Sequence, residues 1–324
     1  MTTDWILVGV DGSEGSGAAV RWAAREASRS GRPVKLLHVA PQLGETVALE
    51  GELPPTREHD HERILVDAAA TVRRALGDVP RDRVLTEVAL GGRVSRLLAA
   101  TADAAVVVLG QRRHRLLDRL ASPTVLTKVA ARAPVPVVAV PAEDGGPEIG
   151  RVVLGVRDLA GAGDLVDRAM AVAAERGARL VLLHAWQVPV LSDDLEATRA
   201  LHADAKSRHG LQQLRAGGRE RRAGVPVGIN VVHGRADEAL VAVSAKADLV
   251  LLGRDPLAQA RGHLGATSRT VTRNSRCPVM VLAEGDAVRP PSERSARRRS
   301  GSPPAVPCGP TDPGAVRSER PTGE

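Results

Sequence analysis

The feature that most constrains the fold of this chain is an internal repeat. Ile6-Leu7-Val8-Gly9-Val10 returns as Val152-Val153-Leu154-Gly155-Val156, and Leu37-His38-Val39 returns as Leu183-His184-Ala185, both displaced by 146 residues. Gly91 followed by Leu97 returns as Gly234 followed by Leu240, and Val108-Leu109-Gly110 as Leu251-Leu252-Gly253, both displaced by 143. Pro136-Val137 returns as Pro278-Val279, displaced by 142. Landmarks in one order with small losses between them mean duplication. The 324 residues are about twice the usual size of one domain. They divide into a first unit at residues 4–141 and a second at 150–283, joined by the polar segment Glu143-Asp144-Gly145-Gly146-Pro147. Residues 285–324 scatter eight prolines among Ser, Gly and Arg, a composition that buries too little apolar surface to offset its ordering entropy. A disordered tail is expected there, with Arg297-Arg298-Arg299 solvated.

Each repeat alternates short apolar runs with helical patterns, the signature of a parallel sheet with crossover helices. In the first repeat strands are expected near 5–10, 34–39, 83–89, 105–110 and 135–140, with helices near 15–30, 58–77, 93–102 and 122–133. In the second, Val166, Ala169, Met170 and Ala173 form the stripe of a helix lying on a sheet, and Gly177 is its stop. Strands one, two and four are continuously apolar, whereas Val225-Pro226-Val227-Gly228-Ile229-Asn230-Val231 alternates and carries a proline, which marks strand three as an edge. With right-handed crossovers the order 3-2-1-4-5 follows. The expected architecture is α/β: two tandem Rossmann-like, doubly wound domains, each with a five-stranded parallel sheet. Ligands of such sheets bind at the carboxyl ends of strands one and four, the topological switch point. That point lies between Asp11 and Gly110 and, in the second repeat, between Arg157 and Gly253. The fifth strands, Val135-Pro136-Val137-Val138-Ala139-Val140 and Pro278-Val279-Met280-Val281-Leu282, are too apolar for open edges and are expected to pair within the chain as a pseudo-dimer.

Composition excludes several classes. No apolar run approaches the ~20 residues that cross a bilayer, and Met1-Thr2-Thr3-Asp4 is not the start of a secretory signal. A cytoplasmic protein without membrane attachment is expected. Two cysteines, Cys277 and Cys308, with no Cys-x-x-Cys and no His-Glu-x-x-His, exclude a disulfide scaffold and the commonest zinc sites. The net charge of +7 comes from arginine in a chain with only four lysines, and there is no Phe or Tyr. Base-stacking nucleic-acid modules use those rings, so nucleic acid is disfavoured as a partner. His59-Asp60-His61 reads as a charged helix start, because residues two apart do not share a helix face. His38 and His184 read as structural. No dinucleotide fingerprint and no Gly-Lys-Ser/Thr loop occurs.

The run Val8-Gly9-Val10-Asp11-Gly12-Ser13, then Trp22-Ala23, Leu37-His38-Val39, Ala105 to Gly110 and Pro134-Val135-Pro136-Val137 resembles the universal stress protein family. The second repeat matches through Leu183-His184-Ala185-Trp186, Gly234, Ala247 to Gly253, Gly265 and Cys277-Pro278-Val279. The resemblance covers nearly everything except the tail. It implies an acid at the end of strand one and, after strand four, a loop of Gly, two residues, Gly, nine residues, then Gly with Ser or Thr, whose backbone N–H groups cradle phosphates. Both loops depart from this pattern. The first repeat keeps Asp11, Gly110 and Thr124 but has Arg113 and Pro123 at the later glycine positions. The second keeps Gly253 and Gly265 but has Pro256, Ala266 for the hydroxyl, and Arg157 in place of the strand-one acid.

What the resemblance implies is a non-catalytic, stress-responsive module that binds ATP, with Mg as its candidate companion, or signals through degenerate nucleotide loops. The candidate binding residues are Asp11, Gly12, Val39, Gly110, Arg112, Arg113, Thr124, Gly253 and Gly265. The first repeat is the expected site, with Asp11 on the adenosine side and Thr124 and Arg113 near the phosphates. The alternatives are an ATP-hydrolysing enzyme of the same fold and an interaction scaffold that has lost nucleotide binding. The expected partners are an adenine nucleotide and, beyond the intrachain pairing, a homodimeric copy.

Overall fold

The computed structural model describes residues 4–41, 58–77, 80–111, 124–143, 146–187, 196–221 and 224–282. The expected tail, Arg112 to Arg115 and Pro123 lie outside them. In the first repeat the order is β1 (Trp5–Gly9), α1 (Glu14–Ser30), β2 (Val34–Ala40), α2 (Glu58–Leu76), β3 (Val84–Leu90), α3 (Arg93–Ala99), β4 (Ala104–Gly110), α4 (Val125–Arg132) and β5 (Val137–Val140). The second continues with β6 (Arg151–Gly155), α5 (Gly163–Glu175), β7 (Arg179–Trp186), α6 (Glu196–Arg221), β8 (Val227–His233), α7 (Ala236–Ser244), β9 (Leu249–Gly253), α8 (Pro256–Ala260), α9 (Ala266–Asn274) and β10 (Val279–Leu282).

Local chemistry sets these boundaries. The Ser13 side chain caps α1 by accepting from the Ser16 N–H, and Gly31, at φ 69°, ends it by donating its own N–H to the Ala27 carbonyl. The expected helix over 93–102 stops earlier, at Ala99, and finishes as a 3-10 turn, Ala100–Asp103. Strand five begins two residues later than expected, at Val137, because Pro134 and Pro136 have no N–H to give the ladder. Pro136 still contributes its carbonyl, which accepts from the Val107 N–H at 2.9 Å.

The strands run β3-β2-β1-β4-β5-β10-β9-β6-β7-β8 in one ten-stranded sheet. Each half has the order 3-2-1-4-5 in parallel, and the alternating strand three, β3 or β8, lies at each outer edge. The halves meet where β5 and β10 pair antiparallel, Val279 opposite Ala139 and Val281 opposite Val137. The expected pairing of the fifth strands is thus observed, and it makes the whole sheet mixed. On one face a single apolar cluster runs through both halves, from Ile6, Val8 and Val108 through Val138 and Met280 to Leu154 and Leu182. The helices α1, α2, α5 and α6 contribute to it. The other face is covered in two parts, around Leu97 and Val129 in the first half and around Leu240 and Val271 in the second.

A buried polar link also joins the halves. Glu26 on α1 accepts from Arg176, which ends α5, at 2.6 Å and from Arg29 at 3.0 Å. The Glu26 and Arg176 side chains are 8% and 7% exposed. Arg29 in turn holds Glu148, in the segment before β6, at 2.7 Å, and the Arg176 guanidinium lies 5.9 Å from the Trp22 ring centre. Among the described residues, no helix is long and apolar enough to cross a membrane.

Candidate functional site

The switch point of the first half is built by the ends of β1, β2 and β4. Asp11 follows β1, and its Oδ1 accepts from the Ser13 N–H at 3.0 Å and from the Ser13 hydroxyl. The carboxylate therefore closes a tight turn, which Gly12 permits by standing at φ +77°. Val39 is buried at the end of β2. Thr124 stands at the start of α4, where its hydroxyl accepts from the Thr127 N–H at 3.3 Å as the helix cap. The room that Gly110 leaves is filled by the chain itself. A Cβ at position 110 would lie 2.2 Å from the Gly15 backbone, and one at Gly15 would lie 2.3 Å from the Gln111 carbonyl oxygen. The first turn of α1 is seated directly on the end of β4.

Beside this turn lies a contact that the sequence did not disclose. His38 Nδ1 donates to the Val10 carbonyl at 2.8 Å, which leaves Nε2 to accept from His61 Nδ1 at 2.9 Å. The helix α2 does begin at Glu58, as the charged run predicted, yet His61 points inward. Burial pushes the His38 pKa below its ordinary value of 6.5; His61 and Arg93 add to the shift, and the Val10 carbonyl and Asp11 oppose it. Below pH 6.5 the unfolded chain then binds this proton more readily than the folded one. The stability that neutral His38 contributes is complete above pH 6.5 and is lost as the pH falls from there towards the lower folded value. Thermal melts between about pH 5 and 8 are expected to show a steeper acid-side loss for the wild type than for His38→Gln. Equal slopes would refute this. Among the described residues, no three His, Cys, Asp or Glu side chains are placed to hold a metal ion.

The second half repeats the frame with different contents. His184 Nδ1 reaches the Val156 carbonyl at 2.9 Å, as His38 reaches Val10, but among the described residues no second histidine is bonded to it. In the second half Arg157 follows Val156 as Asp11 follows Val10, so it stands where the strand-one acid was expected. The loop between β6 and α5 spans 156–162, longer than 10–13 in the first half. One residue on, Asp158 closes a turn like that of Asp11, its Oδ1 accepting from the Ala160 N–H at 3.0 Å. Ala266 opens α9 without a hydroxyl, and Thr267 beside it lines the site.

These residues enclose a cavity of about 1010 Å³ at the switch point. Its apolar part comes from Leu183, Ala185, Leu240 and Leu252, and its far wall from Gly253 and the segment Gly265 to Ser268. A Cβ at Gly253 would meet only the tip of the Leu165 side chain, at 3.0 Å. The helix α1 closes on Gly110 by backbone, whereas α5 stands off Gly253 by a side chain. Gly265 caps α9 without any side chain of its own, so the first N–H groups of that helix have no capping side chain. Charged residues line the cavity in mixed sign, with Asp158, Asp164, Asp167 and Asp255 against Arg157, Arg168 and Arg254. Arg157 and Asp255 are paired at 2.9 Å.

The model of the Universal stress protein family matches residues 3–141 and again 148–283. A universal stress protein of Mycolicibacterium smegmatis is 31% identical over 287 residues, covering 86% of this chain and 96% of its own. One of Mycobacterium tuberculosis is 32% identical over 298 residues, with the same coverage. The crystal structure of a universal stress protein from Archaeoglobus fulgidus superposes over 88% of this chain and 98% of its own with a TM-score of 0.60 at 18% identity, a likeness of fold. The chain belongs to the universal stress protein family as a tandem member, one copy of the family unit in each half of the sheet.

Proposed function

We propose that the chain is a non-catalytic, nucleotide-binding module of stress response, and that the adenine nucleotide occupies the cavity of the second half. The observation that carries this reading is the cavity itself, at the switch point, with a carboxylate on one wall and a helix N-terminus on the other. Its size falls in the range of small-molecule sites. Leu183, Ala185, Leu240 and Leu252 would receive the base, Asp158 would accept from ribose hydroxyls, and the N–H groups at the start of α9 would meet a phosphate. The sequence favours the first half because the second has Arg157 for the acid and Ala266 for the hydroxyl. Asp158 and Thr267, each one residue further along, would supply both, while the room at Gly110 is filled by α1. Asp11, Gly12, Val39, Gly110 and Thr124 then fall outside the proposed site.

Denaturing the purified protein and separating what it releases is expected to yield an adenine nucleotide, and incubation with ATP and magnesium to yield no turnover. In titrations, Asp158→Ala is expected to weaken binding by roughly one to two decades, the cost of about 1–3 kcal/mol for a lost partner in a site built for hydrogen bonding. Binding lost with Asp11→Ala but unchanged with Asp158→Ala would return the site to the first half. Binding of no adenine compound would overturn the reading.

A further inference from the structure

The family loop places its second glycine three residues after the first, Gly253, and here that position is Pro256, the first residue of α8. Proline has no N–H to offer a phosphate. The residue before it, Asp255, caps α8 by accepting from the Leu257 N–H at 3.0 Å through Oδ1. Its other oxygen, Oδ2, is paired with Arg157 Nη1 at 2.9 Å across the mouth of the cavity. The same oxygen lies 3.7 Å from where a Cβ of Gly265 would stand, and Gly265 is the cap of α9. A carboxylate belonging to the chain is therefore already beside the helix N-terminus.

On the adenine-nucleotide reading above, we propose that Asp255 limits the phosphate count of the ligand, so that the cavity takes an adenine nucleoside or its monophosphate in preference to the triphosphate. The charge around it agrees. The lining carries four carboxylates against three guanidiniums, one of which, Arg157, is committed to Asp255. Like charges at a few ångströms repel, and added phosphates bring the repelling groups closer without adding donors. The Asp255 carboxyl also stays ionised: its partial burial opposes this, but the hydrogen bond and charge of Arg157 and the N–H groups of Leu257 and Ala258 outweigh it and hold the pKa below 3.8. A single phosphate can share Arg157 with Asp255. Three cannot be accommodated without breaking that pair.

The test titrates adenosine, AMP and ATP into the full chain in EDTA, so that no divalent cation screens the phosphates. In the wild type AMP is expected to bind at least roughly tenfold more tightly than ATP, about 1.4 kcal/mol. Asparagine caps helices as well as aspartate does, so Asp255→Asn removes the charge and keeps the turn. This variant is expected to tighten ATP roughly tenfold and to leave adenosine unchanged, the adenosine result showing that the cavity is intact. Arg157→Gln works in the opposite sense, exposing the carboxylate and weakening AMP and ATP but not adenosine. If ATP binds the wild type as tightly as AMP, and Asp255→Asn leaves the ratio where it was, the phosphate limit is wrong and the nucleotide reading stands. If no adenine compound binds the wild type, both fall.

Discussion

Replacing Glu26 with leucine is expected to remove about 3–5 kcal/mol of stability, the usual cost of stripping one partner from a buried ion pair. The Arg176 guanidinium would remain among apolar neighbours, and burial already pulls its pKa below the ordinary value in spite of the Glu26 charge. For a protein of this size the loss corresponds to roughly 6–20 °C in Tm. The double replacement Glu26→Leu with Arg176→Met should recover most of it, because two apolar side chains of similar volume need no desolvation. Arg29 retains Glu148 in either variant. Calorimetric melts of the two single variants and the double complete the cycle. A double variant as unstable as the sum of the singles would mean that the link contributes by packing rather than by charge.

The second large effect is expected at Gly110. Alanine there would place a Cβ 2.2 Å from the Gly15 backbone and 2.6 Å from the Ser16 nitrogen. Neither neighbour is the tip of a flexible side chain, so α1 must shift on the sheet, at a cost of about 3 kcal/mol or more, the upper end of overpacking penalties. The equivalent Gly253→Ala meets only the end of the Leu165 side chain and is expected to cost less than about 1.5 kcal/mol. Denaturant melts of the two variants test the contrast directly. Similar losses at both positions would contradict the difference in how α1 and α5 sit.

The sheet was legible because its determinants are local. Continuous apolar runs such as Leu249-Val250-Leu251-Leu252 mark strands covered on both faces, and the alternation and proline of Val225 to Val231 mark an edge. The apolar fifth strands announced that something must cover them. The site was less legible because its equivalences depend on loop length. A fixed offset lands on Arg157, and only the three-dimensional turn shows that Asp158, one residue on, closes a turn as Asp11 does. Contacts between distant residues left no mark in the pattern either. Neither His38 with His61 nor Glu26 with Arg176 follows from periodicity, and the 26 residues of α6 carry no regular apolar stripe from which to read it.

The antiparallel seam between β5 and β10 changes how the assembly responds to mass action. Two separate chains joined by such an edge would come apart on dilution, with a midpoint set by their concentration. Here both partners of the seam are tethered, which fixes their effective concentration in the millimolar range whatever the amount of protein present. Melting of this seam is therefore independent of expression level, so a cell that makes a few copies or many holds the same folded unit. The seam also points the carboxyl ends of the two sets of strands in opposite directions. The two switch points therefore open on opposite rims of the sheet.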